Sequence, residues 1–111
     1  MKEKIRIIYR QPLHTAREMT VDNTLKAVQE LVGGYIETVP LNMPGVILVC
    51  NEEGKLRGMK PNPYPGIPDL VGPWFICGVS GEEFDDVPRE FVKLVRAFMT
   101  VRRESEVGKK R

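Results

Sequence analysis

An unbroken run of five apolar residues, VILVC at positions 46–50, constrains the fold of this 111-residue chain more than any other feature. A strand that is covered on both faces consists of continuous apolar residues, whereas a half-exposed strand alternates apolar and polar ones. The run is far shorter than the roughly 20 residues of a membrane-spanning helix. A second apolar segment, residues 74–77 followed by Val79, lies between glycines and has the same character. We therefore predict two buried strands.

Apolar residues at helical spacing predict a first helix after Asp22, whose carboxylate can accept hydrogen bonds from the free amides of the first turn. Gly33 and Gly34 end the pattern, because glycine adopts the left-handed conformation of a helix C-terminus without a Cβ clash. The predicted stripe consists of Leu25, Val28, Leu31 and Val32.

A second helix is predicted near the C-terminus, capped by Asp85 or Asp86 and with Pro88 in its first turn. Residues 104–111 hold almost no apolar side chain and are predicted to form a frayed basic tail. The apolar stripe of this helix consists of Phe91, Leu94, Val95 and Phe98, widened by Val92 and Met99.

Further strands are predicted at residues 4–10, at residues 35–39 and at residues 55–57, the last of which returns from a tight turn at NEEGK. Residues 11–21 have no clear period and are interpreted as an irregular loop. Four prolines at residues 61–68 predict a stiff surface loop, because proline lacks a backbone donor.

The order of these elements, β-α-β-β-β-β-α, predicts an α+β fold for a single domain at residues 1–103. Short connections between strands favour a mostly antiparallel sheet of four to five strands. The two amphipathic helices are expected to cover one face of this sheet.

Charge is divided unevenly along the chain. Residues 1–88 carry nine basic and twelve acidic side chains, whereas residues 89–111 carry eight basic and three acidic ones. The N-terminus leads directly into a strand pattern without the apolar segment of a signal peptide, so we expect a cytoplasmic protein. In that reducing compartment, Cys50 and Cys77 are expected to be buried free thiols; a disulfide between neighbouring strands is the alternative.

The residues that carry catalytic or metal chemistry are sparse. One histidine, His14, and two separated cysteines do not supply a zinc site, and no nucleophile or phosphate-loop motif is present. Glu52 and Glu53 are adjacent acids, but they are interpreted as solvated residues of a turn. We therefore predict a protein that is not an enzyme and that uses no cofactor and no metal ion.

Several short motifs resemble a known family: GYIE at residues 34–37, NEEGKL at residues 51–56, PN at residues 61–62 and DLVGP at residues 69–73. Across residues 33–83, the chain resembles a small domain-of-unknown-function family that is found in bacteriophages, plasmids and integrative elements of bacteria. The resemblance implies an accessory protein of a mobile element, without an established reaction or catalytic residue. The basic end of this chain departs from the family, whose members are usually shorter and more acidic there.

Polar side chains concentrate around the NEEGK turn and the proline loop. Rigid elements that mix donors and acceptors are typical of sites for small polar ligands or protein partners. We therefore predict a non-catalytic protein that binds a host protein or a small nucleotide-like ligand; the alternative is that these residues serve only the turns. The candidate ligand- or partner-binding residues are Tyr35, Glu37, Asn51, Glu53, Lys55, Arg57, Asn62 and Asp69.

Basic residues of the last helix suggest a different partner. Spacings of i, i+4, i+7 and i+14 would place four cations in one stripe opposite the apolar face. Such a stripe would bind nucleic acid weakly and without sequence preference, or would simply be a solvated helix face. A structural homo-oligomer, such as a homodimer joined at an open strand edge, is a third possibility. The candidate nucleic-acid residues are Arg89, Lys93, Arg96 and Arg103.

Overall fold

A computed structural model describes residues 2–103, which form two helices and a sheet of seven strands. The elements in chain order are β1 (Lys4–Arg10), β2 (Ala16–Asp22), α1 (Leu25–Val32), β3 (Ile36–Pro40), β4 (Val46–Asn51), β5 (Trp74–Ser80), β6 (Glu83–Asp85), α2 (Arg89–Arg96) and β7 (Val101–Arg103). The prediction of an α+β fold is confirmed. Neither helix of the described residues is long and apolar enough to cross a membrane.

The strands are arranged in the order β3-β4-β5-β1-β2-β7, and β6 pairs with β5 outside this path. All pairs are antiparallel except β2 and β7, which run parallel and align Glu18 with Arg103. The mostly antiparallel sheet is thus confirmed, but the predicted number of four to five strands is wrong, because the described residues form seven.

The two helices lie on opposite faces of the sheet, so the prediction that both cover one face is wrong. Leu48 of β4 points to the core that includes Phe91 of α2, and the next residue, Val49, points to the core that includes Val28 of α1. Successive side chains of a strand point to opposite faces, so a wholly apolar strand needs a cover on each side. The strand at residues 46–50 packs against the core of α2 on one face and against the core of α1 on the other. The prediction of a strand buried on both faces is confirmed.

The start of α1 differs from the prediction, whereas its end agrees. Thr24, not Asp22, is the N-cap, and its side-chain oxygen accepts a hydrogen bond from the Ala27 amide at 3.1 Å. Asp22 is instead the last residue of β2, where it pairs with Lys4 at 2.6 Å. Gly33 ends α1 in the left-handed region, with φ of 82°.

No side chain caps the start of α2, so the prediction of Asp85 or Asp86 as its cap is wrong. The Asp86 carboxylate instead accepts hydrogen bonds from the Arg6 amide at 2.8 Å and from the Lys2 ammonium at 2.5 Å. Three residues of α2 face the core: Phe91, Val92 and Val95. The predicted stripe is therefore only partly buried.

Three strands lie where the sequence did not indicate them. The segment interpreted as an irregular loop, residues 11–21, contains most of β2, which pairs with β1 along six residues. Two three-residue strands, β6 and β7, were also not predicted. Residues 55–57, predicted as a strand, instead form consecutive turns, in which the Arg57 amide donates to the Glu53 carbonyl at 2.9 Å.

The segment that follows these turns forms a loop, as predicted, with isolated bridges between Pro61 and Val71 and between Tyr64 and Ile67. The Tyr64 ring packs edge-on against Trp74, with ring centroids 5.7 Å apart. Residues 104–111, predicted as a frayed basic tail, lie outside the described residues.

Candidate functional site

Asn51, a candidate binding residue, is buried and links α1 to the end of β4. Its side-chain amide donates to the Val32 carbonyl at 3.0 Å, and its side-chain oxygen accepts from the Glu53 amide at 2.7 Å. Only 5% of the residue is exposed. Asn51 thus satisfies a carbonyl at the end of a helix, which has no partner within that helix.

Asn62 is likewise inside the molecule, with 1% of its surface exposed. Its side-chain amide donates to the carbonyls of Arg10 at 3.0 Å and Gly72 at 2.9 Å, and its backbone carbonyl accepts from the Trp74 indole at 2.8 Å. These bonds join the proline loop to β1 and β5. Both candidate asparagines are therefore buried and bonded to the backbone, which does not favour contact with an external ligand.

The charged candidate residues of the NEEGK turn and the proline loop pair with one another. Lys55 lies 2.6 Å from Asp69, and this hydrogen bond holds the pKa of the Asp69 carboxyl below its ordinary value. Arg57 lies 3.3 Å from Glu53. Each cation faces a carboxylate, so the two turns present little net charge. Two further candidates, Tyr35 and Glu37, are exposed beside and on β3.

The four cations that were predicted as a helical stripe instead line one open groove of about 470 Å³. Arg89, Lys93 and Arg96 belong to α2, which ends at Arg96. Arg103 does not continue the helix; it lies on β7, and the parallel pairing with β2 brings it opposite Glu18. The cationic groove, as we call it, is lined by Arg6, Glu18, Met19, Thr20, Arg89, Val92, Lys93, Arg96 and Arg103.

A carboxylate between two guanidinium groups lies inside the groove. Glu18 Oε2 is 3.1 Å from Arg6 Nε, and Glu18 Oε1 is 3.4 Å from Arg96. Arg96 also donates to the Val101 carbonyl at 3.2 Å, which ties the end of α2 to β7. Arg6 donates to the Val87 carbonyl at 2.6 Å and lies 3.8 Å from the Asp86 carboxylate. These contacts fix the positions of both arginines.

The rim of the groove is exposed and positive. Arg89 and Lys93 are exposed on α2, one turn apart, and neither forms an ion pair within residues 2–103. Arg103 is exposed on the opposite wall. Five basic side chains and one carboxylate give the lining a net charge of about +4. Three lining residues were not predicted from the sequence, namely Arg6 of β1 and Glu18 and Thr20 of β2.

The chemistry of the groove favours binding of anions. Its apolar lining is Val92, since the Met19 side chain packs against the core on the other face of the sheet, and no aromatic ring lines it. The described part of the chain contains no cluster of three or more histidine, cysteine or carboxylate side chains that could hold a metal ion. His14, outside the groove, has its Nδ1 2.9 Å from the Pro12 carbonyl oxygen.

Both cysteines are free and buried, as predicted. Burial raises the pKa of the Cys50 thiol to about 11 and that of the Cys77 thiol to about 12. Because the thiolate is the nucleophilic form, neither side chain is activated at neutral pH.

Comparisons with curated proteins and with solved structures found no similar chain. A sequence model of a family described as a domain of unknown function, DUF3846, matches residues 5–100. The match extends well beyond residues 33–83, where the motifs lie, and it includes α2 but ends before β7. Because it covers most of the chain, this protein belongs to the DUF3846 family.

Proposed function

We propose that this protein is a non-catalytic accessory protein of a phage or mobile element that binds phosphate groups of nucleic acid in the cationic groove. The observation that carries the proposal is the convergence of cations from two helical turns and two strands on one open groove. Its single carboxylate, Glu18, is already paired with Arg6 and Arg96. The exposed side chains of Arg89 and Lys93, which form no ion pair within residues 2–103, therefore keep their positive charge for an external anion.

The expected binding is electrostatic, and its affinity should depend steeply on salt. Each phosphate that a lysine or arginine neutralises releases a condensed counterion. For the two contacts that Arg89 and Lys93 can make, affinity falls about 7- to 12-fold between about 50 and about 200 mM salt. Arg89 and Lys93 are long, exposed side chains that can follow a phosphate backbone.

The same geometry argues against sequence preference. Base recognition requires side chains that reach base edges or aromatic rings on which bases stack. The groove offers guanidinium and ammonium groups beside Val92, and it offers no aromatic ring. We therefore expect similar affinities for oligonucleotides of different sequence.

Fluorescence anisotropy with labelled oligonucleotides at about 50 and about 200 mM salt tests the proposal. Lys93→Glu should weaken binding about ten-fold or more at the lower salt, because it replaces a phosphate partner with a like charge. Lys26→Glu is the matched control, since it makes the same charge change on the exposed surface of α1, which packs on the other face of the sheet. It should alter affinity by less than about two-fold.

Absence of binding at the lower salt would falsify the proposal, as would equal losses in the two variants. Mononucleotides such as ATP form a second arm of the experiment, because they offer the same phosphate chemistry as a small nucleotide-like ligand. Saturable binding of ATP without binding of oligonucleotides would assign the groove to that ligand instead. Cleavage of the labelled strands during incubation would contradict the non-catalytic part of the proposal.

The mobile-element origin rests on the motif resemblance, and a cytoplasmic location remains a prediction from the N-terminal pattern. Sequencing the genomic surroundings tests the first: genes for replication, packaging or integration on either side would support it. A location among unrelated chromosomal genes would contradict it.

Two other predicted functions have less support. A ligand site at the NEEGK turn and the proline loop has less support because the side chains of Asn51 and Asn62 form internal hydrogen bonds. A homodimer joined through β3 would have to use an edge that carries Glu37 and ends in Pro40. Charged residues and proline are features that discourage pairing between strand edges.

A further inference from the structure

Leu13, in the turn between β1 and β2, has a backbone conformation that is unfavourable for a residue with a side chain, and its apolar side chain is exposed to solvent. The His14 amide donates to the Gln11 carbonyl at 3.1 Å, and Pro12 precedes Leu13, whose φ is +66°. Glycine suits this third position of a type II turn, because a side chain there is strained. Leu13 is also 81% exposed. Neither feature helps the chain to fold, which is the pattern expected of a residue kept for binding.

Two further apolar side chains are exposed: Phe98, which lies near Leu13, and Leu94, which lies near Phe98. Phe98 is 46% exposed and Leu94 is 48% exposed, although both were predicted to be buried in the stripe of α2. Phe98 lines a depression shared with Leu13 and also an apolar groove of about 430 Å³ shared with Leu94. Leu13, Phe98 and Leu94 therefore border one continuous surface, which we call the Phe98 surface.

The Phe98 surface is held in place before any partner arrives. The Phe98 ring packs edge-on against Tyr64, with ring centroids 5.7 Å apart, and Tyr64 in turn packs against Trp74. The floor of its apolar groove includes Leu41, Ile67 and Phe91. Rigid aromatic side chains beside apolar pockets are typical anchor points of protein interfaces.

The charges around this surface indicate the character of its partner. Arg10 and Arg96 line the depressions on either side of Phe98, and no carboxylate lines them or the apolar groove. Arg10 donates to the carbonyls of His14 and Pro63 and forms no ion pair within residues 2–103. The nearest acid on the same face of α2 is Glu90, one turn before Leu94 and outside the lining.

We propose that the Phe98 surface docks an acidic amphipathic segment of a partner protein, with Leu13 inserting as an anchor. The apolar face of such a segment covers Phe98 and Leu94, and its carboxylates meet Arg10, since Arg96 is already paired with Glu18. A second copy of this chain fits less well, because a symmetric contact would bring two Arg10 side chains into one interface whose lining holds no carboxylate to pair with them. This proposal is independent of the nucleic-acid function of the cationic groove.

The test is an NMR titration of the isotope-labelled protein with two synthetic amphipathic peptides of about 16 residues. Both carry leucine and phenylalanine at helical spacing, and the other positions are mainly glutamate in one and mainly lysine in the other. The acidic peptide should shift the amide signals of Leu13, Leu94 and Phe98 and bind at least about ten-fold more tightly than the basic one. Equal binding, or shifts elsewhere, would overturn the proposal.

Leu13→Gly separates a binding role from a structural one. It removes the anchor and relieves the positive φ, so peptide affinity should fall about ten-fold while Tm stays equal or rises. Leu56→Gly is the matched control, because Leu56 is also highly exposed in a turn but lies away from this surface. The control should bind the peptide like the original chain, and a Leu13→Gly variant that does the same would refute the anchor.

Arg10→Gln should weaken binding of the acidic peptide and leave that of the basic one unchanged. Lys93→Glu, which tests the cationic groove, should leave binding of the acidic peptide within about two-fold, so that failure of one proposal is distinguishable from failure of the other. Light scattering supplies the remaining check. A dimer that Leu13→Gly dissociates would show that the occupant is a second copy, contrary to the proposal.

Discussion

Replacing Asn62 by alanine should destabilise the protein strongly, because its buried side chain donates hydrogen bonds to two backbone carbonyls. The side-chain amide donates to Arg10 and Gly72, which belong to different segments of the chain. A buried acceptor that loses its donor costs about 1–3 kcal/mol. Two such acceptors give an expected loss of about 2–5 kcal/mol in the free energy of unfolding.

The expected loss is large compared with the total stability of a domain of this size, which is about 5–15 kcal/mol. Tm should fall by at least about 8 °C, since each kcal/mol corresponds to about 4–8 °C. Trp74 provides the signal, because it is the single tryptophan, it is buried, and it bonds directly to Asn62. Urea unfolding followed by its fluorescence gives the free energy directly.

Asn42→Ala is the matched control, because it makes the same change at an exposed turn residue. It should leave the midpoint of urea unfolding unchanged within error. Asn62→Asp keeps the shape of the side chain but turns an oxygen toward the two carbonyls, so it should be at least as unstable as the alanine variant. If Asn62→Ala lowers the free energy of unfolding by less than about 0.5 kcal/mol, the reasoning about its two hydrogen bonds is wrong.

Three further predictions concern other parts of the fold. In Gly78→Ala the added Cβ would overlap the backbone carbonyl oxygen of Asp86, so urea unfolding should show a loss of about 1–3 kcal/mol. Burial opposes ionisation of Asp86, but hydrogen bonds from Lys2 and a backbone amide outweigh this effect and lower the pKa of Asp86. The Asp86→Asn variant should therefore be less stable than the original protein at neutral pH. The difference between their urea unfolding midpoints should shrink as pH falls below about 4. Cys50 and Cys77 should resist iodoacetamide in the native protein and react after unfolding, as counted by mass spectrometry; rapid native labelling would contradict their burial.

The doubly buried strands were predictable because their signal is local. Residues 46–50 are apolar at every position, and such a strand must have a cover on each face whatever its neighbours are. The apolar run at residues 46–50 also conflicts with the prediction that both helices lie on one face of the sheet. Because only α1 and α2 were available as helical covers, the apolar run itself already indicated one helix on each side of the sheet.

The strand β2 could not be recognised from burial of its own residues. Ala16 is its one buried residue, and Glu18 and Thr20 alternate toward the cationic groove instead of a core. The partly buried Met19 and Val21 alternate on the other face, which is the weak signal that was missed. A strand near the end of a sheet lacks the regular alternation of apolar and polar residues that identifies a half-buried strand.

The two asparagines show why candidate site residues are harder to predict than strands. Asparagine favours turns because its side chain bonds to nearby backbone, and this preference is the same for exposed and buried turns. Asn62 is buried where its side-chain amide donates to the carbonyls of Arg10 and Gly72, and those residues are brought together only by the complete fold. Arg10 and Gly72 lie 52 and 10 residues from Asn62 along the chain, so the sequence near Asn62 carries no information about these hydrogen bonds.

The position of the cationic groove follows from the width of the sheet. Six strands side by side, spaced about 4.8 Å apart, span about 24 Å, whereas one helix is only about 10–12 Å across. On the sheet face that packs against α2, the proline loop covers part of the area that the helix leaves open. The ends of β2 and β7 extend beyond both the helix and the loop. Side chains on this uncovered strip have to be polar, but folding does not require them to be positive.

A strip that served only solubility would mix charges of both signs, as protein surfaces generally do. Here Glu18 is enclosed between Arg6 and Arg96, and the exposed positions are Arg89, Lys93 and Arg103. The fold thus explains why a polar groove exists, and it leaves the sign of its charge unexplained. That excess of positive charge, gathered from α2 and β7 into one place, is the reason to assign the groove to an anionic partner.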